Sequence, residues 1–172
     1  MSIESISTPR LLLRRVQPSD LPDYCAFYAD ARVMATLGGV RDHAWTAQYL
    51  EKQIVHWEQH GFGFWTVRDK ATGRFVGRGG LRGTRIEDRD EVEIGYGFVA
   101  DAWGQGFATE LAAESVRVAF EVLELRELVC FTLPTNLASR RVMEKVGFRY
   151  ERDIVYSELP HVLCRLVKRA AV

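Results

Sequence analysis

Apolar positions along this chain follow two rhythms, and the changes of rhythm mark out its elements. Residues 11–16 are dense in Leu and Val and read as a first strand, ended by Pro18. Ser19 and Asp20 are helix-capping types, and Leu21, Tyr24, Cys25 and Tyr28 follow at helical spacing. A second helix is expected over residues 46–59, with Tyr49, Leu50, Ile54 and Trp57 on one stripe and Gly61 and Gly63 at its end. Residues 64–68 and 75–81 are strand-like and joined by the turn Ala71-Thr72-Gly73, which makes an antiparallel hairpin. Residues 91–99 form the next strand.

Beyond it the period lengthens. Ala108, Leu111, Ala112, Val116, Ala119, Val122 and Leu123 keep one apolar helical face. A short buried strand over 128–132 follows, then a helix over 137–146 stopped by Gly147. Strands over 148–155 and 162–167 close the chain. The order is β-α-α-β-β-β-α-β-α-β-β. Strands cluster on both sides of one strand–helix–strand crossover, so the fold is α+β with a mixed sheet.

At 172 residues the chain suits one domain, taken as residues 1–172 with its core over about 8–168. Its 47% hydrophobic and 27% charged residues are ordinary for a globular protein. Lys plus Arg and Asp plus Glu both number 23, which argues against a nucleic-acid partner needing a basic excess. Cys25, Cys130 and Cys164 are odd in number and scattered. They form neither a disulfide framework nor a metal-ligand spacing, so no metal and a cytoplasmic location are expected. The first ten residues are polar, and no apolar run reaches membrane-span length.

The most informative segment is Gly104-Gln105-Gly106-Phe107-Ala108-Thr109, set between a strand and a helix. Glycines permit positive φ and close approach, so successive N–H groups can point at one anion, and the helix N-terminus adds its own unpaired donors. A tight turn needing glycine for geometry alone is the plainer reading. A Walker loop would need Lys-Ser/Thr after Gly106, where Phe107 and Ala108 stand. A dinucleotide fingerprint would need an acid at the end of the next strand, which reads Phe131-Thr132-Leu133.

Gly104 to Ala108 resembles the coenzyme A pyrophosphate loop of GNAT acetyltransferases, Gln/Arg-x-x-Gly-x-Gly/Ala. Asn136-Leu137-Ala138-Ser139 and Glu144-Lys145-Val146-Gly147-Phe148 resemble that family's second signature. Glu93-Ile94-Gly95-Tyr96 and Thr8-Pro9-Arg10-Leu11 are similar to the branch of ribosomal-protein N-terminal alanine acetyltransferases, the RimJ/RimL type. Trp103 departs from the pattern, standing where Gln or Arg is usual, so no side chain there is expected to hydrogen-bond the loop. The resemblance implies a seven-stranded, mostly antiparallel mixed sheet flanked by about four helices. Its fourth strand (91–99) and fifth (128–132) would splay to admit the pantetheine arm. It implies acetyl-coenzyme A bound by Phe98, Val99, Gly104, Gln105, Gly106, Phe107, Ala108, Thr109, Asn136 and Ser139.

Acetyl transfer to an amine needs a proton acceptor, a polarised carbonyl and a donor for the leaving sulfur. Glu93 is the first candidate base, sharing a strand face with Glu91, Gly95 and Gly97; Glu158 is the second. Amides of Phe98 and Val99 are expected to hold the carbonyl, and Ser139 to serve the thiolate. Each also has an ordinary structural reading: a paired strand glutamate, a polar first-turn serine, and Asn136 as a helix cap. With no cysteine in these segments, direct attack is expected. The acceptor is an amine, a protein N-terminus or a small molecule such as a polyamine, amino acid or antibiotic. A catalytically silent coenzyme A-binding module is the alternative. Monomer and homodimer are both open. His56 and His60 sit at i and i+4 but read as a solvated helix face, as residues 86–91 read as a solvated hairpin loop. Trp45, Trp57 and Trp65 are core or pocket wall.

Overall fold

Arg, Leu and Val alternation produces strands, and one sheet gathers all eight of them in a computed structural model that describes residues 3–168. Residues 1–2 of the polar opening and 169–172 of the expected domain span lie outside the described residues. The strands are β1 (Ser5–Ser7), β2 (Leu11–Arg15), β3 (Phe64–Asp69), β4 (Phe75–Ile86), β5 (Arg89–Phe98), β6 (Glu127–Thr132), β7 (Arg149–Tyr156) and β8 (Leu159–Val167). Their order is β1-β2-β3-β4-β5-β6-β8-β7, antiparallel throughout except at β5–β6. The expected seven strands become eight because Ser5–Ser7, too short and polar to show a pattern, pairs with β2. The expected fourth and fifth strands are therefore β5 and β6.

The helices are α1 (Leu21–Ala29), α2 (Ala31–Met34), α3 (His43–His60), α4 (Phe107–Arg117) and α5 (Leu137–Lys145). Apolar spacing failed to reveal only α2, a single turn capped by Asp30. The helix after the glycine turn is shorter than expected. It leaves α geometry at Val118 for a π-turn over Val118–Val122. The loop expected over 86–91 is instead a tight turn. The strands reach Ile86 and restart at Arg89, leaving Glu87 at φ 53° in the bend. β7 and β8 likewise meet across Ser157 and Glu158, both with positive φ. Among the described residues no helix is long and apolar enough to cross a membrane.

α1 and α3 cover one sheet face, α4 and α5 the other. A Cβ on Gly97 of β5 would meet the Phe27 ring of α1 at 2.9 Å, while one on Gly79 of β4 would meet Leu111 of α4 at 2.8 Å. Asp20, buried ahead of α1, accepts from Thr66 of β3, Arg14 of β2 and the Gln17 N–H, and so anchors the α1 face. Trp57 of α3 and Trp65 of β3 are buried together, ring centroids 6.1 Å apart. Truncating either would cost about 3–5 kcal/mol. Trp45 is the exception to the core reading, being part-exposed beside Tyr28 and Tyr49.

His56 fastens α3 to β4. Its Nδ1 faces the Phe62 carbonyl at 2.9 Å, and Nε2 accepts the Gly83 N–H at 3.1 Å. Only the neutral ring with a proton on Nδ1 satisfies both. Burial, with repulsion from His60 and Arg82, holds the His56 pKa below its ordinary value. A lowered folded-state pKa means stability is complete above the unfolded value, about 6.5, and is lost as pH falls below it. His56→Ala is thus expected to melt below the wild type at pH 8, with the gap narrowing toward pH 5 in parallel thermal melts. A gap constant across that range would contradict this role.

Candidate functional site

The glycine turn has the geometry of an anion cradle. Gly104 and Gly106 hold φ of 73° and 79°, and Gly106 is the N-cap of α4 with no side chain capping the helix. The amides of the first helical turn therefore have no side-chain acceptor. A Cβ on Gly104 would meet nothing within 4 Å, so the cradle is open on that side. The opening Thr8-Pro9-Arg10 segment braces this turn from the far end of the sequence. Arg10 donates from Nη1 to the Gln105 carbonyl at 2.6 Å and from Nε to Glu110 at 2.7 Å. Its guanidinium lies 4.9 Å from the Phe107 ring centroid. Thr8 and the Arg10 N–H also donate to Glu110. Burial works to raise the Glu110 carboxyl, but these donors outweigh it and hold its pKa below the usual range. Gln105 turns its own side chain back to the Asp101 carbonyl. Phe107 is buried against Phe98, while Ala108 and Thr109 are half-buried in the first turn.

Beside the cradle, β5 and β6 part. They share one register pair, Glu93 with Val129. The Val99 N–H donates to Val76 across β4, so by antiparallel alternation Phe98, Tyr96 and Ile94 turn their backbone groups toward β6. Of the two amides expected to hold a carbonyl, Val99 is thus engaged and only Phe98 faces the gap. Trp103 takes the Phe98 carbonyl with its indole N–H at 2.9 Å. The residue in the Gln/Arg position does hydrogen-bond, though to the strand end.

Tyr96, on the other face of β5 from Glu93, spans the gap. Its hydroxyl lies 3.0 Å from Ser139 Oγ and 3.2 Å from the Ser139 carbonyl. Asn136 caps α5 by accepting the Ser139 N–H at 3.2 Å, which fixes that serine. Burial, followed by the adjoining Cys130, pushes the Tyr96 phenol far above its ordinary pKa. Cys130 itself is buried on β6, and burial raises its thiol well above the usual value. A cysteine thus does adjoin the gap, brought there by the fold and invisible in the local motifs.

The opposite face of β5 carries Glu93, only 4% exposed. Arg82 of β4 holds its Oε1 through both Nε and Nη2. Oε2 has no protein donor among the described residues, yet it is not a sealed atom. Glu158 stands apart, exposed in the β7–β8 turn at φ 64°. Glu91, on the same face as Glu93, is paired with Arg165 at 2.8 Å. Tyr96, Phe98, Ser139 and the glycine turn thus adjoin the gap, Glu93 stands on the other face of β5 where the two strands still pair, and Glu158 lies in the exposed β7–β8 turn. His56 spends both ring nitrogens on backbone, and no three ligand-type side chains converge among the described residues.

Known proteins resemble the chain in sequence and fold. The acetyltransferase (GNAT) domain family matches residues 10–149. YkkB of Bacillus subtilis (strain 168), itself uncharacterized, is 31% identical over 148 residues, 86% of each chain. The crystal structure of an acetyltransferase from Agrobacterium tumefaciens str. C58 superposes with a TM-score of 0.85 at 27% identity, covering 98% of this chain and 96% of that one. RimL, a ribosomal L7/L12 alpha-N-protein acetyltransferase solved with coenzyme A, shares the fold at 18% identity and a TM-score of 0.77, covering 95% and 98%.

The brace on the glycine turn has a local signature. Arg10→Ala is expected to speed amide hydrogen exchange across residues 105–108. Because Arg10 is 49% exposed, global stability should change by less than about 1 kcal/mol. Exchange unchanged at those amides would show that the turn holds its shape without Arg10.

Proposed function

The chain belongs to the acetyltransferase (GNAT) family, and from that premise we propose that its site transfers acetyl from acetyl-coenzyme A directly to an amine. The observation that carries this reading is the open cradle at Gly104 and Gly106, set at the mouth of the β5–β6 gap. The residues fit the cosubstrate. Uncapped helix amides suit a pyrophosphate, and the unpaired edge of β5 suits an amide-bearing arm laid along it as an added strand. When bound, acetyl-coenzyme A supplies an activated thioester. The acting domain on this reading is the whole chain, with its core over residues 8–168.

Each chemical need has a residue beside the gap. The Phe98 N–H faces the position where a carbonyl would need polarising. Glu93 presents Oε2 as a proton acceptor while Arg82 fixes the carboxylate through Oε1. Ser139, with Tyr96 behind it, forms a short hydroxyl relay that can return a proton to the departing sulfur. The high pKa of Tyr96 keeps this phenol protonated at working pH. Direct attack is favoured over an acetylated cysteine because the Cys130 thiol is buried and far from ionising. Glu93 is preferred to Glu158 as base, since Glu158 lies exposed in the β7–β8 turn. The resemblance of Thr8-Pro9-Arg10-Leu11 to the RimJ/RimL branch leaves a protein N-terminus as the alternative amine.

Acetyl-coenzyme A at millimolar concentration is expected to raise the melting temperature of the wild type. Gly106→Val should weaken that binding at least tenfold, because a β-branched residue rarely adopts φ 79° and its Cβ would press on Arg10 Nη2 at 3.3 Å. No shift with the wild type would remove the coenzyme A reading.

Glu93→Gln keeps an oxygen for Arg82 but cannot take a proton. Turnover is expected to fall about a hundredfold to ten-thousandfold, with the KM for acetyl-coenzyme A within about twofold. A loss smaller than about tenfold, or roughly 1.4 kcal/mol, in a variant that melts normally would pass the role to Glu158 or to solvent.

A further inference from the structure

We propose that the acceptor is a small amine that also carries a carboxylate, bound by Arg78; this rests on the acetyltransferase reading above. Arg78 lies on β4, beside Gly97 of β5 and on the same sheet face as Glu93. It is 8% exposed, and its one protein hydrogen bond runs from Nε to the Tyr28 hydroxyl at 3.1 Å. Neither terminal amino group has an acceptor among the described residues, and no carboxylate is among the groups that act on it most strongly. Those amino groups are not sealed, unlike the buried Nε of Arg41, which also lacks a partner.

The surroundings select the ligand. Phe64, Phe27 and Tyr28 present ring faces to Arg78 at 5.1, 5.8 and 5.8 Å, so aromatic walls surround the cation but supply no negative ion. Arg41 lies 5.1 Å from the Trp45 ring, and Trp45 stacks on Tyr49 at 5.2 Å. Trp45 is part-exposed and Tyr49 half-buried, and both rings contact Tyr28, the hydrogen-bond partner of Arg78. Arg41 lies on Trp45, Arg78 on Tyr28, and Arg82 shares the Phe64 ring with Arg78 while holding Glu93. Asp20 and Asp42 are spent elsewhere, on the β3 anchor and on the cap of α3. A polyamine would meet this surplus of positive charge unfavourably, and an amino carboxylate would complete it.

Reach is also suitable. The guanidiniums of Arg78 and Arg82 flank one Phe64 ring at 5.1 and 5.3 Å, and Arg82 holds Glu93. On this proposal one small molecule places its carboxylate at Arg78 and its amine at Glu93 Oε2. The carboxylate forms only ion-paired hydrogen bonds. The amine forms the new C–N bond as the C–S bond breaks, and its proton passes to Glu93.

The test is a panel of α- and ω-amino acids, each compared with its own primary amide, scored by coenzyme A release. The amide is the less basic amine, so intrinsic reactivity at neutral pH favours the amide and works against the expected result. At least one acid is expected to exceed its amide by tenfold or more in kcat/KM, mainly through KM. Arg78→Gln should erase that preference while acetyl-coenzyme A affinity stays within about twofold, and Arg78→Lys should restore part of it. The proposal is overturned if amides, polyamines or peptide N-termini are the better acceptors, or if no amino carboxylate is acetylated. It is equally overturned if the preference survives in Arg78→Gln. Should that variant not fold, the acid–amide comparison on the wild type decides alone. Acetyl-coenzyme A thermal shifts report separately on the acetyltransferase reading, so the two can fail independently.

Discussion

Beyond the pair Glu93 and Val129, the two central strands separate, and the backbone groups freed on β5 govern the rest of the site. A buried N–H or C=O without a partner costs about 1–3 kcal/mol. An opened sheet must therefore supply substitutes or admit a ligand that does. The protein does some of each. Trp103 takes the Phe98 carbonyl, and Tyr96 bridges to Ser139 across the opening. The Phe98 amide is left facing the gap, at one end of which the first-turn amides of α4 are also uncapped. Sheet edge and helix end point into the same space, which suits a ligand with a peptide-like arm and an anionic head.

Holding that opening rigid falls to residues far apart in sequence. Arg10 and Thr8 fix the glycine turn by way of Gln105 and Glu110, and Asn136 fixes Ser139 from the neighbouring helix. Exposed ion pairs of this kind add little global stability. Their effect is geometric: they decide where the cradle sits relative to the strand edge. The π-turn that ends α4 lies away from the cradle, at the helix's other end.

The parts legible in the sequence were those whose physics is local. Gly104 and Gly106 announced positive φ, Gly61 and Gly147 announced helix ends, and period-two alternation placed Glu93 with Gly95 and Gly97 on one face. What stayed hidden depends on distant partners. Ser5–Ser7 becomes a strand only because β2 offers an edge, and Tyr96 looked apolar because its hydroxyl partner is 43 positions away. The loop expected at 86–91 collapsed to a tight turn because Glu87 accepts positive φ, which composition alone does not signal. Arg78, inside the glycine-rich run of β4, carried no motif at all. Its meaning comes from the burial and the ring faces around it.

The two arginines of β4 show how one sheet face divides its work. Arg82 is compensated by Glu93, and removing either partner would leave a buried charge at a cost of about 3–5 kcal/mol. Arg78 already stands in that uncompensated state. Three ring faces and the Tyr28 hydroxyl offset part of the cost of burying it, but none of them carries a negative charge. An apolar side chain of similar length would pack among Phe27, Tyr28 and Phe64 without that penalty. An anionic group entering beside Arg78 would add the ion pair that these surroundings do not supply. Affinity gained in this way is selective by its nature, because an acceptor lacking the anion leaves Arg78 as unpaired as before.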